Sequence, residues 1–289
     1  MAIKIPQTVL PDSHSYPKDK ITNMIWKGKL YDGYEDYIST GNELEVYVTF
    51  TDKNEVTLYE AAVHDAICAL YINGDNKFIS LPMIYKAMTG DKKARLSEES
   101  ANRIRESVIV LSETHIDIDA SQEAEEANSR KWNFEFEEFN DCLIDIEFVK
   151  GVRDGVESEW VKILNLPILH EYAQFKKQIA TVPAQLKNTP IRKNKEIIEL
   201  QTYLLKRVEA MKNSKKVNNT IRFTKSKGTE GLYEVLMLEA PTIATLRKKQ
   251  QRIRDYTIQI LDYWKTEGWI KGYTTNKTRR TIDSLTIKI

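Results

Sequence analysis

The sequence predicts an α+β protein made of two winged helix-turn-helix domains in tandem. One order of elements (helix, strand, helix, helix, strand, loop, strand) recurs along the chain and predicts it, while a sharp division of formal charge between the halves bears on what the chain binds. Residues 161–289 hold 26 Lys and Arg against 11 Asp and Glu, a surplus of 15 positive charges. The preceding 160 residues hold 17 against 31, a deficit of 14, so the whole chain carries only +1. A half this basic points to a polyanion as its partner.

Residues 1–43 mix Pro, Gly, Asp, Ser and Tyr without clear period. They are expected to form an arm with a short helical piece near Ile21–Trp26. The first domain is expected over 44–186. Leu44, Val46, Val48 and Phe50 alternate as a strand, and Thr57 with Glu60 forms a capping box opening a helix over Leu58–Ile72. Asn73-Gly74 stops that helix, Phe78–Leu81 reads as a short strand, and Pro82 suits the first turn of a helix reaching Met88. Ser97 caps a third helix with Glu98 and Glu99 in its first turn. The wing is expected from His115–Asp119, an acidic loop over Ala120–Lys131, Phe134–Phe136 and Cys142–Val149. A further helix is expected at Ile168–Lys177, between the Pro-marked breaks of the linking stretch.

The second domain is expected over 187–289. Asn194 caps a helix from Lys195 to about Met211, Thr220–Phe223 is a short strand, and Thr229–Leu238 is a second helix. A third helix runs from Thr242 to about Trp264, with Ile243, Leu246, Ile253, Ile260 and Trp264 as its apolar seam. Gly268 ends it, and Trp269–Tyr273 with Thr281–Ile289 closes the domain as a hairpin.

Several function classes are disfavoured by composition. No window approaches the ~18 uncharged apolar residues of a membrane span, and the start of the chain lacks the apolar core of a signal peptide. Cys68 and Cys142 lie in apolar stretches and read as reduced thiols, so the protein is expected in the cytoplasm. His115, Asp117 and Asp119 share one face of a strand without a further ligand set, and His64 with Asp65 is expected to face partly outward on its helix. The glycines between Lys225 and Gly231 lack phosphate-loop spacing, and no His-x-His pair supports tyrosine-dependent nicking. Neither enzymatic activity nor a cofactor or metal is expected.

The remaining chemistry is recognition. Arg247, Lys248, Lys249, Gln250, Gln251, Arg252 and Arg254 crowd the start of the third helix of the second domain, just after Thr242 and Thr245. In a helix-turn-helix, that end of the second helix of the motif meets base edges in the major groove. Arg grips guanine and Gln grips adenine bidentately, so the cluster offers reading groups as well as charge. Lys271, Lys277, Arg279 and Arg280 on the hairpin are expected to take phosphates or enter the minor groove. Lys212, Lys215, Lys216, Arg222, Lys225 and Lys227 would extend that track. In the first domain Arg95, Arg103 and Arg105 occupy the matching helix beside an acidic wing, which favours an interaction or dimerisation role.

Two winged units of which the second is basic resemble plasmid replication initiator proteins of the tandem winged-helix (Rep) type. The likeness covers about 44–289. It rests on architecture and on two stretches, Thr57-Leu-Tyr-Glu-Ala-Ala-Val-His-Asp-Ala-Ile and Thr281-Ile-Asp-Ser-Leu-Thr-Ile-Lys-Ile. It implies a first unit that dimerises and touches DNA. It also implies a second unit that reads origin repeats through residues between Thr242 and Arg254 and through Lys277, Arg279 and Arg280. The expected partners are double-stranded DNA, host replication proteins and a second copy of the chain, without a membrane. Two other readings use the same residues: a transcription regulator of a phage or conjugative element, and an interaction protein whose basic half binds an acidic protein.

Overall fold

A computed structural model describes residues 3–41, 44–52, 56–129, 138–213, 219–226, 228, 230–278 and 281–289. The fold is mixed α+β, and the chain divides into two units, Met1–Ala184 and Gln185–Ile289.

The first unit opens with β1 (Ile3–Lys4), β2 (Ser13–Pro17), α1 (Lys20–Ile25), β3 (Tyr34–Gly41) and β4 (Leu44–Thr51). The expected N-terminal arm is therefore a structural part of this unit. Tyr16, Ile21, Ile25 and Trp26 are buried, and β3 pairs antiparallel with β4 along its length. Strand β4 is the strand expected from the alternation over Leu44–Phe50, whereas β3 escapes the sequence reading because it is an edge strand whose buried position among the described residues is Ile38, so no apolar alternation marks it.

Next come α2 (Leu58–Cys68), β5 (Phe78–Ile79), α3 (Leu81–Thr89) and α4 (Glu98–Glu113). The expected caps are in place. The Tyr59 N–H donates to Thr57 Oγ1 (3.2 Å), the Thr57 N–H donates to Glu60 Oε2 (3.0 Å), and the Ser100 N–H donates to Ser97 Oγ (3.2 Å). Beyond Cys68, α2 widens into a π-type turn over Ala69–Asn73. Gly90 ends α3 at φ 70, a left-handed stop that glycine adopts without strain. His64 is fully buried rather than partly outward, because Trp26 covers that side of α2 with ring centroids 5.4 Å apart.

The unit continues with β6 (His115–Asp119), α5 (Ser121–Ser129), β7 (Glu138–Cys142), β8 (Ile146–Arg153), β9 (Val156–Ile163), α6 (Ile168–Phe175) and β10 (Ile179–Pro183). The stretch expected as an acidic loop is helical over α5. The Ser121 N–H donates to Asp119 Oδ1 (3.0 Å) at its start, and Glu123 is buried against Lys176 and the Tyr172 hydroxyl. A buried carboxylate with a half-buried cation and a buried phenol as partners belongs to packing, not to a solvated loop. The expected strand Phe134–Phe136 lies outside the described residues, and Cys142–Val149 divides between β7 and β8.

Sheet membership also differs from expectation. Strands β3-β4-β6-β7 form one sheet, so His115–Asp119 is not part of a wing, and β1-β8-β9-β5 form another. In the second sheet β8 and β9 make a hairpin through Asp154 and Gly155, at φ 52 and 77, and β5 pairs with β9. Positive φ at both central residues gives the turn a twist that suits a tight hairpin.

The second unit runs α7 (Lys195–Asn213), β11 (Thr220–Arg222), α8 (Leu232–Val235), α9 (Ile243–Thr266), β12 (Gly272–Thr278) and β13 (Thr281–Lys288). Its sheet order is β11-β13-β12. Asn194 Oδ1 accepts from the Ile197 N–H (2.9 Å) to start α7, and Gly268 at φ 71 follows the end of α9. Ile197, Leu204, Val208, Leu232, Ile253, Ile260, Trp264, Leu285 and Ile287 form the core. The helix expected over Thr229–Leu238 is reduced to the four residues of α8. Gly231 presses on the Thr224 backbone so closely that a Cβ would lie 2.4 Å from it, which fixes where α8 begins. Met237, at φ 46, turns the chain out of helical geometry beyond it.

Candidate nucleic-acid interface

Helix α9 is 24 residues long, about 36 Å, and burial along it is uneven. Ile253, Thr257, Ile260, Leu261 and Trp264 are buried, all in the C-terminal part. No residue from Ile243 to Arg252 is buried. The apolar seam expected to begin at Ile243 therefore begins at Ile253, and Ile243 itself is 71% exposed. Nearly three turns of helix stand clear of the unit's core.

The cations on this end do not share one face. Arg252 and Arg254 point about 160° apart around the axis, since two residues advance a helix by about 200°. Their partners differ accordingly. Arg252 Nη2 lies 2.7 Å from Glu196 Oε2 and Lys249 Nζ lies 3.5 Å from Glu196 Oε1, so one carboxylate in the first turn of α7 faces both. Lys249 also donates to the Glu239 carbonyl (3.0 Å), tying α9 to the turn before it. On the other flank Arg254 donates to the Tyr233 hydroxyl (2.9 Å) and to Gln251 Oε1 (2.7 Å), while Gln251 Nε2 donates to Asp255 Oδ1 (2.8 Å). Tyr233 in turn donates to the Gln250 carbonyl (3.1 Å), and burial pushes its hydroxyl up to about 12 against the opposing pull of Arg254.

Arg247 and Lys248 differ from these. Both are exposed, and neither has a carboxylate partner among the described residues. Thr242 caps the helix by accepting from the Thr245 N–H (3.2 Å), and the two threonine hydroxyls lie 2.9 Å apart. The protruding end thus presents Thr242, Ile243, Thr245, Arg247, Lys248 and Gln251, with Arg252 held at its edge.

The hairpin packs on the opposite part of the helix, where the Tyr273 hydroxyl donates to Asp262 Oδ1 (2.8 Å). Lys271 precedes β12 and lies close in sequence to the C-terminal end of α9, roughly 20 Å along an extended strand from Lys277. The two lysines therefore occupy different ends of the hairpin, with Lys277 exposed and paired across from Ile282. Arg279 and Arg280 lie outside the described residues, as do Lys215, Lys216 and Lys227. Lys212 is not free for a phosphate track: its Nζ sits 3.2 Å above the centre of the Trp269 ring, and burial lowers its pKa.

Glu196 and Tyr233 are the residues that sequence reasoning missed. Nothing local marks them. Glu196 is 56 residues from Arg252, and Tyr233 reads as one apolar position of a short helix.

The first unit holds its polar candidates differently. Arg103 pairs with Glu99 (3.1 Å) and Arg105 with Glu159 on β9 (2.8 Å). His115 Nε2 lies 2.7 Å from Asn140 Oδ1, whose amide also reaches Asp117 Oδ2 (3.3 Å). Among the described residues no group of three or more His, Cys, Asp or Glu is arranged to hold a metal ion, and no helix is long and apolar enough to cross a membrane.

No protein-family model matches the chain, and no curated protein matches it. Among solved structures, a crystal structure of domains 2 and 3 of RctB overlaps 93% of this chain and 98% of its own, at 10% identity and a TM-score of 0.47. A second crystal structure of those RctB domains overlaps 90% and 92%, at 10% identity and a TM-score of 0.45.

Proposed function

We propose that this chain is a non-enzymatic, sequence-specific double-stranded DNA-binding protein that starts replication of a plasmid or related mobile element by binding repeated origin sites. The observation that carries the reading is the start of α9, where no residue before Ile253 is buried and where Arg247 and Lys248 are exposed without a carboxylate partner among the described residues. An α-helix fits the major groove of B-DNA, and its leading residues are those that reach base edges. Arg247 and Lys248 supply the reading groups, joined by Gln251 where DNA displaces its bonds to Arg254 and Asp255, while Lys277 on the hairpin takes phosphate.

The tandem winged-helix reading is supported by strand order. In the second unit the strand after the first helix pairs with the last strand of the hairpin, giving β11-β13-β12. In the first unit β5 pairs with β9 of the β8–β9 hairpin, giving β5-β9-β8 after α2, α3 and α4. On this reading β6, α5 and β7 are an insertion between the third helix and the wing. The first unit serves dimerisation and contacts to host replication proteins. The replication role itself rests on the resemblance of this arrangement to plasmid initiators.

Selection of duplex oligonucleotides by the full chain, followed by sequencing, tests the reading. A recovered motif present as tandem copies beside an origin is the expected result. A lone palindrome at a promoter would replace initiation with transcription regulation, and recovery of no motif would overturn the proposal.

A further inference from the structure

The free end of α9 carries an apolar side chain where the sequence places a core position. Ile243 is 71% exposed, and Ala244 beside it is exposed as well. Isoleucine gains nothing from facing water, and burying it is favourable by an amount that grows with apolar area. The threonines on either side are engaged in capping the helix and in each other, so the distinctive group at this tip is the aliphatic one. Resting on the DNA-binding reading above, we infer that Ile243 is a specificity-determining residue that recognises thymine through its C5-methyl group in the major groove.

The charge around Ile243 selects this occupant over an apolar protein surface. Arg247 and Lys248 follow within two turns, both exposed and without carboxylates among the described residues. A protein interface that covered Ile243 would bring those two charges to its core, where charged residues are depleted. A duplex instead offers phosphates to the cations and a methyl group to the isoleucine at the same time. Position supports this too, because leading residues of a recognition helix approach base edges most closely.

The probe is a duplex selected from a random pool by the full chain, synthesised once with thymine and once with uracil at every thymine position. The exchange removes only methyl groups. The unsubstituted protein should bind the uracil duplex about fourfold more weakly for each methyl contacted. Ile243→Ser, at an exposed position where folding is not at stake, should bind both duplexes alike. An equal thymine preference in Ile243→Ser, or no uracil penalty in the unsubstituted protein, overturns the inference while leaving DNA binding intact. A drop in oligomeric mass of Ile243→Ser by sedimentation also overturns it, by assigning the residue to a protein contact. If the unsubstituted protein selects no duplex at all, the DNA-binding reading falls and takes this inference with it.

Discussion

In the first unit, α4 aims Arg103 at Glu99 and Arg105 at Glu159 of the hairpin (3.1 and 2.8 Å); in the second, α9 leaves Arg247 and Lys248 without a carboxylate among the described residues. Each of the two helices follows a helix, a short strand and a second helix, and in each unit the short strand pairs with the second strand of the hairpin, β5 with β9 and β11 with β13. Their anchoring differs in kind. Helix α4 is tied to its hairpin by a cation meeting a carboxylate, whereas α9 is tied by Asp262 accepting from Tyr273 (2.8 Å), which uses neither Arg247 nor Lys248. Burial differs too: it begins at Ile104 in α4, within two turns of Ser97, and only at Ile253 in α9. The two helices thus differ electrostatically: both of these α4 arginines meet carboxylates, while α9 leaves Arg247 and Lys248 without one among the described residues.

Histidine placement sharpens the contrast most. All four histidines lie in the first unit. Burial, with His64 nearby, lowers His170 to about 4 from an ordinary 6.5, while Asp65 pulls the other way. The folded unit keeps His170 neutral, so its contribution is complete above about pH 6.5 and is lost as pH falls toward 4, when the unfolded chain binds a proton that the folded one does not. The expected loss is up to about 3 kcal/mol. Hydrogen exchange read separately for peptides of each unit should show the first loosening between pH 6.5 and 5, ahead of the histidine-free second. Simultaneous loosening would break the contrast.

The next effect concerns the open helix itself. Arg247→Ala with Lys248→Ala should weaken duplex binding by about 30-fold, whereas Arg103→Ala with Arg105→Ala should change it less than about twofold. Equal losses in a titration would mean that both units meet DNA alike. Smaller is the expected effect of Glu196→Gln. Releasing Arg252 and Lys249 from their shared carboxylate should tighten binding to random duplex about fivefold and steepen its salt dependence by about one unit. Unchanged salt dependence would show that the pair is structural only. Lys277→Ala should lower that slope by about one unit with little change in sequence preference.

Much of this fold is legible in local chemistry. Thr57 with Glu60, Ser97, Asn194 and Thr242 all mark helix starts, because a cap is a bond between residues two or three apart. What the sequence hides is set by partners far along the chain. Strand β10 exists because it pairs with β2, more than 160 residues earlier, and the acidic run over α5 is helical with Glu123 held by Lys176. The candidate interface divides the same way. Its location was readable from a run of cations, whereas the roles of Arg252 and Arg254 depend on Glu196 and Tyr233 in other helices, and the bareness of Ile243 depends on where the core ends.

The single turn of α8 has a consequence for aim. Four residues are too few to hold a direction by their own backbone, yet Tyr233 on that turn supports the long rod beside it through the Gln250 carbonyl and Arg254. A phenol oxygen therefore acts as the trunnion on which the rod is sighted. Tyr233→Phe should leave the unit folded while letting the rod's free end sweep a wider arc, which faster hydrogen exchange over the start of α9 would register.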